Sequence, residues 1–161
     1  MGFFLLCAVL LFSCEKSSEP PDVTTVPVYQ DDREITRIAE DARNTLPVFF
    51  RYLTSAGAGK NCYVKYPFMA DEDSDVDREQ IWLTNIQFSN GKYFGVLVNA
   101  PRYLTGMKRG DRVIFDMETI TDWMYVREGK ITGGESIKYL LGRIPEEQRN
   151  DRERELLRML F

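Results

Sequence analysis

The chain has 161 residues, of which 43% are hydrophobic and 29% are charged, which is typical of a globular domain with its own core. Its net charge of −4 excludes a general nucleic-acid-binding protein, because such proteins need a basic face to neutralise phosphates. The absence of histidine excludes Ser-His and Cys-His catalysis and, with three cysteines, most zinc sites. An enzyme of this composition would have to use Asp, Glu, Lys, Tyr or a lone Cys.

The first residues predict a signal peptide that ends in a lipidation site. Residues 3–12 form an apolar run that is too short to span a bilayer, which needs about 20 residues. The run ends in Leu11-Phe12-Ser13-Cys14, which resembles a bacterial lipobox, where the cysteine is lipidated and becomes the first mature residue. Phe12 is larger than the usual residue and Met1-Gly2 carry no positive charge, so a buried N-terminal strand or helix stays open. We expect residues 1–13 to be removed and Cys14 to anchor the protein to a membrane of the bacterial cell envelope.

The segment that follows predicts a disordered tether. Residues 14–32 are rich in Pro, Ser, Thr and acids and show no helical or strand period. If Cys14 is lipidated and Cys7 is cleaved away, Cys62 is left without a partner for an internal disulfide. Because Cys62 lies in a predicted strand, we expect a buried and unreactive thiol.

The domain begins with a helix predicted from residue 33 to about residue 53. Its apolar residues recur at three- and four-residue steps, and Asp31 or Asp32 can cap its start. Pro47 lies inside this pattern and predicts a kink, or a division into two helices around Asn44-Thr45.

Two loops resemble ligand-binding motifs but lack required residues. The glycine-rich segment 55–60 resembles a phosphate loop, but Asn61 stands where Ser or Thr is required. The acidic loop 71–77 spaces its aspartates like the first ligands of a calcium loop, but Val76 replaces the turn glycine and Trp82 the bidentate glutamate. We therefore expect solvated loops and neither a metal nor a cofactor.

Apolar alternation then predicts four or five antiparallel strands, at residues 61–69, 80–88, 92–99, 112–116 and 119–126. Ser89-Asn90-Gly91 is a hairpin turn signal, and Gly95 in mid-strand predicts a bulge or a close backbone approach. Helices are predicted at 135–141 and at 146–161, the second starting after Pro145 with an Arg149–Glu153 pair. This order predicts an α+β domain over residues 33–144, with an N-terminal helix packed on a curved antiparallel sheet and helices covering one face of it, followed by a charged C-terminal helix at 145–161.

The second half of the chain contains a distinctive set of motif residues at fixed spacing. They are Trp82, Phe94-Gly95, Leu97, Asn99, Pro101, Gly106, Lys108, Gly110-Asp111, Val113, Phe115, Ile120, Asp122-Trp123, Tyr125, Gly129-Lys130 and Gly133. As a set, these residues resemble the YegJ-like bacterial proteins, catalogued as domain of unknown function 2314. The resemblance covers roughly residues 35–141 and implies a small bacterial α+β domain. It implies no established activity, so no catalytic residue can be transferred from it.

Six of the polar and aromatic residues at strand ends and turns form the candidate binding surface, because binding groups are usually displayed there. Each also has a structural explanation, since Asn99 can stabilise a turn, Asp122 can cap backbone amides and Trp123 can be a core ring. The six are Asn99, Arg102, Asp122, Trp123, Tyr125 and Lys130.

Two classes of function remain open. The first is a non-enzymatic binding or interaction domain at the envelope, whose acidic, aromatic surface meets a protein partner; a toxin-neutralising immunity protein is one form of it. The second is a carboxylate-dependent hydrolase of an envelope glycan or peptide, pairing Asp122 with Asp111, Asp116 or Glu118. The hydrolase predicts a pocket where Asp122 meets a second acid, and the binding domain predicts a shallow patch around Trp123 and Tyr125.

Overall fold

A computed structural model describes residues 32–55 and 58–161, so the predicted signal peptide, Cys14 and almost all of the predicted tether lie outside the described residues. Two helices precede an antiparallel sheet and two follow it. The helices are α1 (Arg33–Asn44), α2 (Leu46–Leu53), α3 (Glu135–Gly142) and α4 (Asp151–Leu160). The strands are β1 (Cys62–Met69), β2 (Arg78–Ser89), β3 (Lys92–Leu97), β4 (Arg112–Phe115), β5 (Asp122–Arg127) and β6 (Lys130–Gly133). No helix in this described part is both long and apolar enough to cross a bilayer.

The six strands form one sheet in the order β4-β3-β2-β1-β5-β6, with every neighbouring pair antiparallel. The α+β class is confirmed, but the predicted count of four to five strands is too low. The additional strand is β6, in which Ile131 is the one large apolar residue, so its sequence shows no apolar alternation. Strand β5 also starts later than predicted, because Met117–Thr119 form a 3-10 turn capped by Asp116, whose Oδ1 accepts from Glu118 N at 2.9 Å.

Alternate side chains of the strands build a separate core on each face of the sheet. On one face, Val64 and Leu83 pack in a cluster with Phe49 of α2. On the other face, Trp82 and Met124 pack with residues of both C-terminal helices, namely Ile137, Leu141, Leu156 and Leu160. The prediction that helices cover one face is therefore wrong, because α1 and α2 cover one face and α3 and α4 cover the other.

The first helical segment is divided as Pro47 predicts. Helix α1 ends at Asn44, and Pro47 occupies the first turn of α2, where its missing N–H has no helical partner to lose. Asp32 caps α1 by accepting from Glu34 N at 3.1 Å. Its other carboxylate oxygen accepts from Tyr139 Oη and from Arg143, both at 2.9 Å, so the start of α1 is bonded to α3.

Two predictions made from glycine residues are confirmed, namely the hairpin turn at Asn90-Gly91 and the close backbone approach at Gly95. Asn90 and Gly91 have φ angles of 51° and 74°, as a tight hairpin requires. At Gly95 a Cβ atom would lie 2.9 Å from Leu83 Cβ, so the backbone of β3 approaches β2 closely. The register shift itself lies on β2, where Asn85 has a φ of 51°.

The C-terminal helix is shorter than predicted. Glu146–Gln148 form a 3-10 turn, and α4 begins at Asp151 behind a capping box. In that box Glu153 N donates to Asn150 Oδ1 at 2.9 Å and Asn150 N donates to Glu153 Oε2 at 2.8 Å. The predicted Arg149–Glu153 pair is replaced by these bonds, and Arg149 Nε donates to the carbonyl of Ile144 at 2.9 Å.

Candidate functional site

Asp122 lies at the start of β5 and is 1% exposed. Its Oδ1 accepts from Trp123 N at 2.8 Å, and its Oδ2 accepts from the backbone N and the hydroxyl of Ser136 at 2.8 and 2.7 Å. Ser136 is in the first turn of α3, where backbone N–H groups lack helical acceptors. Asp122 therefore caps α3 from a neighbouring strand and joins the sheet to that helix.

Lys65, whose side chain is half-buried, completes a polar network with these two buried residues. It lies opposite Asp122 in the β1–β5 register and its Nζ donates to Ser136 Oγ at 3.3 Å. Burial lowers the pKa of Lys65 and raises the pKa of Asp122, and the charge of each partly opposes the shift of the other. Sequence reasoning missed Lys65 and Ser136; the available signal was a lysine inside an apolar strand.

With a serine hydroxyl next to a lysine amine, this network resembles a nucleophile beside its general base, but the serine is closed off from solvent. Ser136 is 3% exposed and its hydroxyl donates to Asp122, so a substrate cannot reach this hydroxyl in this conformation. The network is hydrogen-bonded throughout, which fits a structural link between β1, β5 and α3.

Trp123 and Tyr125 are covered by the N-terminal helices. Trp123 is 6% exposed, and its Nε1 donates to the carbonyl of Ala42 at 3.0 Å and to Thr45 Oγ1 at 3.1 Å. The ring of Tyr125 stacks on Tyr52 of α2 with centroids 4.0 Å apart. The shallow exposed patch that we expected around Trp123 and Tyr125 is therefore not formed, because both rings face the core.

The other three predicted surface residues lie in two separate places. Asn99 is half-buried and Arg102 is exposed, both in the loop at residues 98–111 between β3 and β4. Lys130 is exposed on the other half of the sheet, where its Nζ donates to the carbonyl of Arg158 at 3.1 Å. The structure thus does not bring the six candidates together into one site.

The acidic residues that we expected to pair with Asp122 in a hydrolase lie in turns, which two of them stabilise. Asp111 Oδ2 accepts from Lys108 N at 2.9 Å, and Asp116 caps the 3-10 turn that contains Glu118. The hydrogen bonds of Asp122 go to Trp123 and Ser136, so the pocket expected to pair it with a second acid is not formed in the described residues. Nor does this part of the chain place three or more His, Cys, Asp or Glu side chains to hold a metal ion.

Acids of the β1–β2 hairpin hold the 98–111 loop. Asp71 Oδ2 accepts from both the backbone N and the hydroxyl of Thr105 at 2.6 Å, and these bonds lower the pKa of Asp71. Glu79 accepts from the backbone N–H groups of Arg102 and Tyr103, each at 2.9 Å. The acidic segment that resembled a calcium loop therefore positions a neighbouring loop.

A cleft of about 740 Å³, called the aromatic cleft below, lies between α2 and the strands β3 and β4. Sequence reasoning missed it, because its walls come from four separate elements of the chain. The cleft is lined by Leu46, Phe50, Tyr66, Gly91, Lys92, Tyr93 and residues 114–118.

Aromatic rings in contact form the floor of this cleft. The Tyr93 ring lies 4.8 Å from Phe88, 6.1 Å from Phe50 and 5.9 Å from Phe115, measured between centroids. The ring of Tyr66 lies 5.9 Å from Phe115. Burial raises the pKa of Tyr93, and the hydroxyls of Tyr66 and Tyr93 make no hydrogen bond to a described residue. Such a surface offers apolar area with polar tips, which is typical of binding sites.

The fold and the motif residues define a small bacterial α+β domain. A family model described as an uncharacterized protein conserved in bacteria, DUF2314, matches residues 32–156. The chain belongs to this family, which confirms the resemblance drawn from its motifs.

Two relatives support this assignment. The Escherichia coli K12 protein named uncharacterized protein YegJ is 31% identical over 155 residues, covering 96% of this chain and 97% of that protein. A protein of Neisseria meningitidis serogroup B, named as an ankyrin repeat protein, is 33% identical over 131 residues. That match covers 78% of this chain but 52% of the relative, so the chain spans about half the length of the Neisseria protein. No solved structure matches the chain.

Proposed function

We propose that this protein is a non-enzymatic binding domain of the bacterial cell envelope and that the aromatic cleft is its recognition surface. The observation that carries the proposal is the cleft itself, an open volume of about 740 Å³ with several aromatic rings on its walls. Pockets of a few hundred cubic ångströms that are lined by apolar side chains with a few polar groups are typical of ligand sites.

The exposure of large apolar side chains at the cleft supports the same proposal. Ile114 of β4 lines the cleft and is 55% exposed, and Phe88 of β2, whose ring lies 4.8 Å from that of the lining residue Tyr93, is 64% exposed. Burial of apolar surface of this kind against a partner contributes a favourable free energy of roughly 25 cal/mol per Å². The polar residues that could perform chemistry, Asp122, Ser136 and Lys65, instead form the closed network between the sheet and α3.

Photo-cross-linking tests whether the cleft is the recognition surface. A photoreactive amino acid replaces Lys92, at the rim of the cleft, and in a matched protein it replaces Arg127, which is exposed on the other half of the sheet. Irradiation in intact bacteria should give a discrete cross-linked product from position 92 that is absent at position 127. The product should be lost when Tyr93→Ala is added. Equal amounts of product from both positions, or a product that still forms with Tyr93→Ala, would show that the cleft is not the recognition surface.

The envelope location rests on Cys14 and is tested separately. We propose that lipidation of Cys14 anchors the domain, with residues 15–31 as the tether; these residues lie outside the described part of the structure. Replacing Cys14 by Ala should release the protein from the membrane fraction and change its mobility on gels. A variant that stays membrane-bound at the same level and apparent size would show that the anchor lies elsewhere.

A further inference from the structure

The edge of the sheet beside the aromatic cleft is open. Strand β4 pairs with β3 and stands at the end of the strand order, so its other side has no strand partner among the described residues. An unpaired edge presents backbone N–H and C=O groups at regular spacing, which is the surface that an added strand requires. The strand at the opposite end of the sheet is β6. Its residue Lys130 is bonded to α4, because the Lys130 Nζ donates to the carbonyl of Arg158.

The aromatic cleft adjoins this open edge, because residues of β4 line the cleft. Ile114 and Phe115 of β4 and the adjoining residues 116–118 form one wall, while Leu46 and Phe50 of α2 form the facing wall. In a chain that lay along the free side of β4, a side chain on the cleft face would therefore lie next to Phe115, whose ring centroid is 5.9 Å from that of Tyr93. Alternate side chains of such a chain would point to the same face as these rings, because side chains of a strand alternate.

The charge at this end of the cleft is acidic. Asp116 and Glu118 are exposed, and neither forms an ion pair with a described residue. Lys92 lies across the cleft on the β2–β3 hairpin, so the three charged side chains of the lining sum to one negative charge. A cationic side chain placed beside Asp116 and Glu118 would gain attraction there.

We propose that the partner of this site is an extended peptide that adds as a strand to β4. It places an apolar side chain among Phe50, Tyr93 and Phe115 and a Lys or Arg side chain beside Asp116 and Glu118. The inference rests on the proposed function, of which it names the class of partner and the mode of binding. The backbone pairing supplies affinity that is independent of sequence, and the cleft and its two carboxylates supply selectivity.

A peptide library tests this mode of binding. Phage-displayed random octapeptides are selected on the wild-type protein, with counter-selection on Tyr93→Ala. The selected peptides should share an aromatic or branched apolar residue with a Lys or Arg close to it. Recovery of no binder, or of binders without a basic residue, would overturn the inference; the proposed function would still stand if position 92 cross-links to a partner in bacteria.

Backbone methylation distinguishes strand addition from other modes. Each amide of the best peptide is N-methylated in turn, and affinity is measured by fluorescence anisotropy. In strand addition, alternate amides face β4 and the intervening ones face solvent. Methylation should therefore lower affinity about tenfold at alternate positions, which is the loss of one to two backbone hydrogen bonds. Equal effects at every position, or none at any, would rule out a strand on β4.

Charge reversal on the protein tests the acidic end without altering the core. Glu118→Lys should weaken a Lys- or Arg-containing peptide about fivefold, the size expected for an exposed charge pair. Glu155→Lys makes the same change on an exposed position of α4 and should leave affinity unaltered. Equal affinities for wild type and Glu118→Lys would show that the carboxylates do not select the cation.

Discussion

Gly133 lies so close to Trp123 that a Cβ atom on it would stand 2.7 Å from Cε3 of the indole ring. Its backbone has a φ of 82°, a region that side chains disfavour, and the next residue, Gly134, donates its N–H to the Trp123 carbonyl at 2.8 Å. Strand β6 therefore leads into α3 through a contact that only glycine allows. This is a physical reason for a glycine at position 133 in the motif.

Replacing Gly133 by Ala should lower the free energy of unfolding by about 2–4 kcal/mol, which combines left-handed strain with a clash against the indole. Gly129→Ala is the matched control, because Gly129 has a φ of 73° but no atom within 4 Å of the place that a Cβ would occupy. The control should lose about 1–2 kcal/mol. Urea unfolding measures both, and equal losses would contradict the role given to the Trp123 contact.

Asp122→Ala should destabilise the protein without any ligand being present. The substitution leaves the N–H groups of Trp123 and Ser136 and the Ser136 hydroxyl without their acceptor in a buried place. We expect a loss of about 2–4 kcal/mol in the free energy of unfolding. Asp75→Ala, an exposed acid of the 71–77 loop, should change it by less than about 0.5 kcal/mol. Similar results for the two variants would mean that Asp122 is not the link between β5 and α3.

Cys62 should make the protein sensitive to alkaline pH. The thiol is 0% exposed, as predicted, and burial raises its pKa from 9.0 to about 12. Below pH 9 the thiol is protonated in both the folded and the unfolded chain, so its contribution to the free energy of unfolding is fully present. As the pH rises from 9 towards 12, the thiol ionises in the unfolded chain first, and this contribution is lost.

The comparison is between the wild type and Cys62→Ala, both with Cys14→Ser so that neither carries a lipid. The difference in their free energies of unfolding should be constant from pH 6 to about pH 8 and should then narrow by up to about 1.4 kcal/mol per pH unit. Guanidinium unfolding at stepped pH measures it. A difference that stays flat to about pH 10.5 would show that Cys62 ionises equally in both states.

Glu79→Ala should loosen the 98–111 loop. The carboxylate accepts from the backbone N–H groups of Arg102 and Tyr103, and its loss leaves both without a partner in the described structure. Hydrogen exchange at these amides should accelerate at least about tenfold, which corresponds to one lost hydrogen bond. Glu72→Ala, an exposed residue of the same hairpin, is the control and should leave the exchange unaltered.

Features that depend on neighbours in the chain could be predicted from the sequence. The division of the first helix follows from Pro47, the β2–β3 hairpin from Asn90-Gly91 and the close approach of β2 and β3 from Gly95. Each of these residues limits its own backbone, so a few adjacent positions contain the whole signal. The apolar alternation of β2 likewise placed Trp82 on the opposite face from Leu83, and both faces are covered.

Features that depend on distant pairing could not be predicted. Strand β1 lies between β2 and β5, with Val64 opposite Trp123, and no local pattern specifies that register. The burial of Asp122 depends on α3, a helix from another part of the chain whose first turn Asp122 caps. The aromatic cleft exists because Leu46 and Phe50 of α2 come together with Tyr93 and Phe115 of two strands, so no single stretch of the sequence displays it. Alternation places Trp123 and Tyr125 on one face of β5, but it cannot show that α1 and α2, far earlier in the chain, cover that face.

The bonds that Asp32 makes to Tyr139 and Arg143 have a mechanical consequence. A pull on the chain before Asp32 would not peel the first turn of α1 from the domain one hydrogen bond at a time. The force would instead pass at once into α3 and, through Ser136 and Asp122, into β5 of the sheet. Because the load is shared among several bonds that would have to break together, α1 would resist being pulled away from the domain at its first residue.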